Sequence, residues 1–437
     1  MHDAARIAAA IALLDEIFST RRPADTVASA FFRTRRFIGS KDRGAVAERV
    51  YGVLRARARL TWHLRRRTFE PTARALVLAH AALVLGERAD ALERRFSQGP
   101  HGPGPLKEGE RRLLAALDGR RLDDDTMPEA VRLEVPDWAE GPLRAALGER
   151  FAEECAALRE AAPVDLRANV LKAGREEAIA ALAAEGLAAE PTPYSPWGMR
   201  LAARANLAAT TTFKDGLVEV QDEGSQLAAL MVGARPGQRV VDFCAGAGGK
   251  TLALAATMEN RGAIVACDVL AGRLTRAKLR FRRAGAHNIT TRAFSSARDP
   301  YVKRHARSFD RVLVDAPCSG TGTWRRNPDA RWNALAPDLR ELTALQSEIL
   351  ESAARLVKPG GRLVYVTCSL LKEENEARIA AFLAAAPDFR AVPASEAWAA
   401  SAGGAFPGDD PYLRLSPARH GTDGFFVAVM EREAAAS

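Results

Sequence analysis

Two cysteines follow directly after apolar runs, in sequence that is polar and typical of loops. Cys318 stands in LVDAPCSGTGTW, three residues after Asp315, and Cys368 stands in LVYVTCSLLKEENE. A free cysteine is more often a small buried apolar residue, and we interpret Cys155 and Cys267 in that way. A thiolate is also a strong nucleophile, although a thiol with a pKa of ~8.5 is only slightly ionised at neutral pH. Cys318 and Cys368 are therefore candidates for covalent catalysis, at a site expected to lower a thiol pKa.

A glycine-rich turn between a strand-like run and a helix-like run is a candidate ligand loop. In VVDFCAGAGGKT, the residues Gly246, Gly248 and Gly249 carry no side chains, so the backbone can approach a ligand closely. The helix that begins near Lys250 directs free N–H groups towards the same place. The loop does not match a nucleoside triphosphate loop, because Cys244 occupies the position of the first glycine in that motif. It also lacks the Gly-x-Gly-x-x-Gly order of dinucleotide-binding folds.

Asp268 closes the next apolar run, AIVACD, where an acid can accept hydrogen bonds from ribose hydroxyls. Nicotinamide dinucleotides and S-adenosylmethionine both offer such hydroxyls. The alternative role for Asp268 is to cap the helix that follows. We favour the ribose role because the acid and the glycine loop follow neighbouring strands.

These residues need a scaffold whose strands end side by side. After residue 215 the chain alternates amphipathic segments with the apolar runs RVVDFC, AIVACD, NITTRAF, RVLVDAP and GRLVYVTC. This alternation predicts an α/β domain with a doubly wound parallel sheet, which binds ligands where the strand order reverses. If the fourth and fifth strands are neighbours, about 4.8 Å apart, Cys318 and Cys368 share a crevice with the glycine loop.

The remaining sequence predicts two further domains, so the protein is expected to be multidomain. Residues 1–125 contain amphipathic helices with breaks at Pro23 and Pro71, followed by the Gly/Pro connection SQGPHGPGPLKEGE. Residues 134–212 contain a proline-opened helix pair and short alternating strands, which predict a small α+β module. Residues 215–433 form the predicted sheet domain.

Charge is concentrated at the start of the chain. The 437 residues carry a net charge of +9, and the first 75 hold 16 Lys and Arg against 7 Asp and Glu. This pattern indicates a nucleic-acid partner, with a solvated arginine-rich face as the alternative. The candidate phosphate contacts are Arg55, Arg57, Arg59, Arg65, Arg66 and Arg67.

Cysteine usage and hydropathy bound the class of protein. The five cysteines fit neither a disulfide framework nor the spacing of a zinc site, and no metal is expected. No segment is apolar enough to span a bilayer, and acids bracket the short apolar run near the start. We expect a soluble cytoplasmic protein, monomeric and without a membrane partner.

Three motifs in the same order resemble those of the RsmB/Nop/Sun family of S-adenosylmethionine-dependent RNA (cytosine-5) methyltransferases. They are CAGAGGKT, DAPCSGTG and TCSLLKEENE. The segment VQDEGSQLAA at 220–229 extends the resemblance, and DRGAVAERVYGVLR at 42–55 resembles the NusB-like RNA-binding domain of the bacterial RsmB branch. The resemblance implies a NusB-like N-terminal domain, a class I (Rossmann-like) methyltransferase domain and S-adenosyl-L-methionine as cofactor.

The resemblance also implies residue roles. Cys368 would be the nucleophile that adds to C6 of cytosine, Cys318 would assist product release, and Asp315 would contact the base. A thiolate at C6 is needed because C5 of free cytosine is too poor a nucleophile. Chemistry alone leaves the order of the cysteines open, since a Pro-Cys thiol attacks in DNA cytosine-5 methyltransferases. The implied cofactor contacts are Cys244, Ala245, Gly246, Ala247, Gly248, Gly249, Lys250, Asp268 and Asp315.

Two positions depart from the family pattern. Gly246-Ala247 replaces the usual Ala-Pro, which we expect to loosen the loop, and the acid near the adenine is matched by Ser295 or Asp299, left unassigned. The expected substrate is 16S ribosomal RNA, with transfer RNA as the alternative. A non-catalytic RNA-binding or ribosome assembly factor with a vestigial cofactor pocket is the alternative from another class.

Overall fold

The structure is a computed structural model that describes residues 1–96, 99, 101–332 and 338–434. Residues 97, 98 and 100 of the predicted Gly/Pro connection lie outside these ranges. The chain forms two compact units, Met1–Glu160 with Trp324–Ala336, and Ala161–Thr323 with Pro337–Ser437. This division groups residues 134–160 with the N-terminal helices, and the three-domain division at 1–125, 134–212 and 215–433 stays a prediction.

The first unit is helical throughout its described residues. Pro23 directly precedes the second helix and Pro71 lies two residues before the fifth, so both predicted breaks are confirmed. The fifth helix is buried on nearly all sides and packs against the first, third, fourth and seventh helices, so it forms the centre of the unit. The helices are α1 (Asp3–Phe18), α2 (Ala24–Thr34), α3 (Ser40–Arg55), α4 (Arg57–Arg65), α5 (Ala73–Leu83), α6 (Ala89–Phe96), α7 (Glu108–Leu117), α8 (Glu129–Arg132), α9 (Asp137–Leu147) and α10 (Phe151–Arg159).

The helical run at 42–67 is interrupted at Ala56, where φ is −111° and ψ is 15°. The interruption frees the first-turn amides of α4, and the buried Glu134 carboxylate accepts hydrogen bonds from Ala58 N at 2.8 Å and Arg59 N at 3.2 Å. A carboxylate is favoured there because the N-terminal end of a helix carries partial positive charge. Glu134 is 76 residues from Ala58, so helical periodicity gave no sign of this break.

The second unit begins with a small α+β module. Its strands β1 (Asp165–Ala168), β2 (Ala189–Pro191), β3 (Gly198–Leu201) and β4 (Val218–Val220) pair antiparallel in the order β2-β3-β1-β4. Helix α11 (Arg175–Ala184) packs against this sheet, and α12 (Thr211–Lys214) precedes β4. The module is therefore the α+β arrangement that its alternating segments predict, although β4 lies beyond residue 212.

The remaining residues of the second unit form one large sheet with helices on both faces. The strand order is β10-β12-β9-β8-β5-β6-β7, and β11 pairs with β12. Its elements are α13 (Glu223–Leu230), β5 (Arg239–Asp242), α14 (Gly249–Thr257), β6 (Ala263–Asp268), α15 (Ala271–Ala284), β7 (Ile289–Ala293), α16 (Pro300–Arg304), β8 (Phe309–Asp315), α17 (Leu339–Ala354), β9 (Val357–Thr367), α18 (Glu376–Ala385), β10 (Phe389–Val392), α19 (Ala394–Ser401), β11 (Leu413–Leu415), α20 (Pro417–His420) and β12 (Phe425–Arg432).

All five predicted strands are present, and β7, β6, β5, β8 and β9 are parallel to one another. The prediction of a parallel sheet is wrong at one edge, because β12 is antiparallel to β9 and β10 is antiparallel to β12. Consecutive residues of β5 show why both faces are covered: Val240 and Val241 are each buried, and they belong to different apolar clusters. The strand order reverses between β5 and β8, which is where such sheets bind ligands.

None of the helices in the described ranges has the length and apolar composition that crossing a membrane requires.

Candidate active site

Three neighbouring strands place their carboxyl ends at the reversal point. The strand β5 ends at Asp242, β8 ends at Asp315 and β9 ends at Thr367. Since β8 pairs with both β5 and β9, the glycine loop and the two cysteine loops leave the sheet side by side. This confirms the prediction that the fourth and fifth strands are neighbours.

The glycine loop connects β5 to the N-terminus of α14. Gly246 and Gly248 adopt positive φ values of 55° and 79°, a region that residues with side chains rarely occupy. A Cβ atom on Gly248 would collide with the Phe281 ring of α15, whereas the corresponding position on Gly246 is open. The loop therefore packs closely against the protein on one side and leaves backbone accessible on the other.

Side chains from three directions hold this loop. Asp268 at the end of β6 accepts hydrogen bonds from Gly246 N at 2.9 Å and from Leu270 N at 2.7 Å. Arg280 of α15 donates to the carbonyl of Ala247 at 2.7 Å. From the small module, the fully buried Arg167 donates to the carbonyl of Gly249 at 3.0 Å. The contacts anchor the loop despite its Gly-Ala sequence.

Asp268 holds backbone on both sides of the crevice edge. Its bond to Leu270 N ties it to the start of α15, and its bond to Gly246 N brings it beside the ligand loop. Each carboxylate oxygen has capacity for a second hydrogen bond. The ribose contact stays a prediction.

A buried acid that the sequence reasoning passed over lies beneath the loop. Asp242 is 1% exposed, and its Oδ2 accepts a hydrogen bond from Thr251 Oγ1 at 2.7 Å. Its Oδ1 has no hydrogen-bond partner within the described residues. Burial, together with the Asp315 carboxylate, raises the pKa of Asp242 to about 7, against the effect of the Thr251 bond. The feature of the sequence that could have identified Asp242 is its position at the end of a strand.

Lys250 and Asp315 form an ion pair across the crevice, with Nζ and Oδ2 2.8 Å apart. Burial disfavours the charge on Lys250, yet Asp315, together with Cys368 and Asp242, holds the pKa of the ammonium above its usual value. Asp315 is therefore paired within the crevice.

The acids of the crevice bear on the kind of ligand. Lys250 neutralises Asp315, and the carboxylate of Asp268 lies at the glycine loop. A carboxylate beside the loop is compatible with the sulfonium and amino groups of S-adenosylmethionine. Among the residues that the structure covers, no cluster of three or more His, Cys, Asp or Glu side chains could hold a metal.

The two candidate nucleophiles meet in this crevice. The Sγ atoms of Cys318 and Cys368 lie 3.4 Å apart, and both cysteines are free and half-buried. The distance exceeds a disulfide bond length of about 2.05 Å. The hydrogen bond with Cys368, together with burial, raises the pKa of Cys318 well above its usual value. The site therefore disfavours the thiolate form of Cys318, and the lowered pKa expected of the attacking thiol stays a prediction.

A buried glutamate joins the two cysteine loops. Glu374 has no exposed surface, and its Oε1 accepts hydrogen bonds from Ser319 N at 2.8 Å and Gln346 Nε2 at 2.9 Å. Its Oε2 accepts hydrogen bonds from the hydroxyls of Ser319 and Ser369. Ser319 follows Cys318 and Ser369 follows Cys368, so one carboxylate fixes the residue after each thiol.

Backbone contacts reinforce this junction. Gly322 N donates to the carbonyl of Cys368 at 2.9 Å, and Leu370 N donates to Thr321 Oγ1 at 2.8 Å. The segment KEENE contributes to the family resemblance, but its pattern does not single out Glu374. Of the partners of Glu374, Ser369 is five residues away, whereas Ser319 and Gln346 are 55 and 28 residues away.

The adenine contact left open in the sequence is still unassigned. Asp299 caps α16 through a 2.9 Å hydrogen bond from Tyr301 N, and it accepts another from Ser295 N at 3.0 Å. Asp299 is 6% exposed. Both candidates are thus engaged with each other at the start of α16.

The six candidate phosphate-binding arginines in the first unit divide into two groups. Arg59 is paired with Glu134 and Asp123, each at 2.8 Å. Arg55 donates to the carbonyl of Arg325, and Arg67 donates to backbone carbonyls as well. These three bind within the protein, which the charge pattern could not reveal. Arg57 is half-buried, and the exposed members are Arg65 and Arg66.

Comparison with known proteins agrees with this geometry. The family model 16S rRNA methyltransferase RsmB/F matches residues 229–431, and the RsmF/B-like ferredoxin-like domain matches residues 135–208. A ribosomal RNA small subunit methyltransferase B from Sodalis glossinidius (strain morsitans) is 32% identical over 416 residues, or 91% of each chain.

Solved structures extend the likeness to the whole chain. The crystal structure of PH0851 has a TM-score of 0.79 and 28% identity, and it covers 99% of both chains. A methyltransferase homolog protein from Pyrococcus horikoshii has a TM-score of 0.59 and 29% identity, and it covers 70% of this chain and 97% of its own. The match over both units, with the glycine loop and the cysteine motifs in order, shows that the chain belongs to the RsmB/F methyltransferase family.

Proposed function

We propose that this protein transfers a methyl group from S-adenosylmethionine to C5 of a cytosine in RNA, through a covalent bond between Cys368 and C6. The observation that carries the proposal is the pair of thiols 3.4 Å apart beside the ion pair of Lys250 and Asp315. Two thiols this close can reach neighbouring atoms of one base. The motif resemblance supports Cys368 as the nucleophile.

Each residue has a defined part in this proposal. The Cys368 sulfur forms a bond to C6, which makes C5 electron-rich. S-adenosylmethionine, held by the glycine loop and Asp268, supplies an electrophilic methyl group when it is bound. Asp315 binds the N3 and N4 edge of the base. C5 then takes the methyl group, and the cofactor's sulfur leaves as a neutral thioether. Transfer of the C5 proton to a base expels the Cys368 thiolate from C6, and Cys318 assists this release.

The proposed substrate is 16S ribosomal RNA. The relatives named ribosomal RNA small subunit methyltransferase B support this choice, and transfer RNA is the alternative within the same chemistry. We also propose that the N-terminal helices are NusB-like and that they and the α+β module at 134–212 bind the RNA while the target cytosine flips into the crevice. A non-catalytic assembly factor is disfavoured, because such a protein would not need both thiols and an intact glycine loop.

The order of events separates the roles of the two cysteines. We expect Cys368→Ala to abolish turnover and to form no covalent RNA adduct. We expect Cys318→Ala to attack and methylate but to release slowly, so that a denaturant-resistant complex with RNA accumulates. Each variant is incubated with 16S ribosomal RNA and labelled S-adenosylmethionine and then separated on a denaturing gel. Cys155→Ala, which removes a buried thiol from α10, is the matched control.

Two results would contradict this assignment. A persistent complex with Cys368→Ala would reverse the roles of the two thiols. Wild-type methylation in both variants would refute the covalent mechanism altogether. Bisulfite sequencing of the product RNA identifies the modified cytosine.

A further inference from the structure

A cavity of about 800 Å³ opens beside helix α4 in the first unit. Its lining includes Trp62 and Arg65 from α4, Arg66 directly after it, Trp138 from α9, and Trp332. We call it the α4 pocket. The proposed chemistry does not use it.

The charge of the α4 pocket is positive. Among the described residues, its lining contains one acid, Asp137, and four arginines, which are Arg57, Arg65, Arg66 and Arg331. Arg331 is already committed, because it donates to the carbonyl of Glu134 at 3.0 Å. Arg65 and Arg66 are exposed and form no ion pair within the part of the chain that the structure describes. Their charges are available to an external anion.

Three indole rings also line the pocket. The Arg66 guanidinium lies 4.9 Å from the centre of the Trp62 ring, which is a cation–π arrangement. Trp138 is held in place by an edge-to-face contact with Trp324 at 6.0 Å and by a hydrogen bond from its Nε1 to the Arg331 carbonyl at 3.3 Å. Aromatic rings beside exposed arginines are the features that bind unpaired nucleotides, because a base stacks on the ring and a phosphate binds the cation.

We propose that the α4 pocket binds an unpaired nucleotide of the RNA substrate, with its base against Trp62 and its phosphate at Arg65 and Arg66. The inference rests on the proposed function, since it assumes that RNA is the substrate. A cavity of this size accommodates a ligand of one or two nucleotides. It gives the RNA an anchor in a different unit from the cysteine crevice.

The test separates stacking from charge in the full-length protein. Binding of a labelled single-stranded RNA is measured by fluorescence anisotropy at several salt concentrations. Trp62→Leu keeps an apolar side chain but removes the ring, so we expect about 5- to 100-fold weaker binding with an unchanged salt slope. Trp62→Phe should restore most of the affinity.

The charge arm uses Arg65→Gln with Arg66→Gln. We expect the slope of log affinity against log salt to flatten by about 0.7 for each lost phosphate contact. Arg112→Gln removes one charge from the exposed face of α7 in the same unit, so it is the matched control and should bind as wild type. Melting followed by circular dichroism verifies that each variant is folded.

Three outcomes would overturn the proposal. Binding by Trp62→Leu within twofold of wild type would exclude stacking. Equal affinity for an abasic RNA would do the same. If polyglutamate displaced the labelled RNA as well as unlabelled RNA does, the pocket would be a site for acidic polypeptide. In each of these cases methylation by the wild-type protein would leave the proposed function standing, whereas a wild-type protein that neither binds nor methylates RNA would refute both.

Discussion

Replacing Glu374 by glutamine should slow methylation without weakening cofactor binding. The Glu374 carboxylate accepts four hydrogen bonds, two from N–H groups and two from hydroxyls. The amide oxygen of the new glutamine takes the place of Oε1, because the two N–H groups can only donate hydrogen bonds and need an acceptor there. The Ser319 and Ser369 hydroxyls can rotate to accept from the new amide nitrogen. The number of bonds is kept, but none is assisted by charge.

The magnitude follows from that loss of charge. A hydrogen bond to a charged group contributes roughly 0.5–1 kcal/mol more than a neutral one, so four bonds give about 2–4 kcal/mol. If this free energy holds the two cysteine loops in the reacting geometry, kcat should fall about 30- to 1000-fold. Glu374→Ala should be more damaging, because Ser319 N would be left buried without an acceptor.

Single-turnover methylation with labelled S-adenosylmethionine measures the chemical step, and calorimetry measures cofactor affinity. An independent readout is the rate at which a mild oxidant joins Cys318 to Cys368, which should fall when the loops separate. Glu373→Gln removes an exposed charge from the adjacent residue and should leave all three measurements unchanged. Wild-type rates of methylation and of thiol oxidation in Glu374→Gln would refute the positioning role.

Two further predictions concern other buried groups. Asp268→Asn should weaken S-adenosylmethionine binding by about 1–3 kcal/mol in calorimetry, because a ribose hydroxyl would lose a charged acceptor. Unchanged affinity would contradict the ribose contact, and tight binding of a nicotinamide dinucleotide would contradict the choice of cofactor. Burial lowers the pKa of His80 to about 4, below the unfolded value of 6.5, so the unfolded state takes up a proton first as the pH falls. The free energy of unfolding should therefore fall by up to about 3 kcal/mol between pH 6.5 and pH 4. Urea unfolding across this range should show a flatter profile in His80→Leu, and parallel profiles would show that His80 does not cause the loss.

The five parallel strands and the glycine loop could be predicted because their signals are local. An apolar run of strand length, followed by a loop and an amphipathic segment, specifies a strand and its crossover helix within about 30 residues. The same locality identified Cys318, Cys368 and Asp268 as strand-end residues. It also identified the breaks at Pro23 and Pro71, because proline restricts the backbone whatever surrounds it.

Tertiary structure decided everything that joins distant segments. The 3.4 Å approach of Cys318 to Cys368 needs β8 and β9 to be neighbours and needs Glu374 to tie their loops together. Whether Arg59 of α4 can bind a phosphate likewise depends on Glu134, which pairs with it from 75 residues away. Sequence patterns record which residues prefer burial or a turn, but a hydrogen bond between remote residues forms only where packing brings donor and acceptor together.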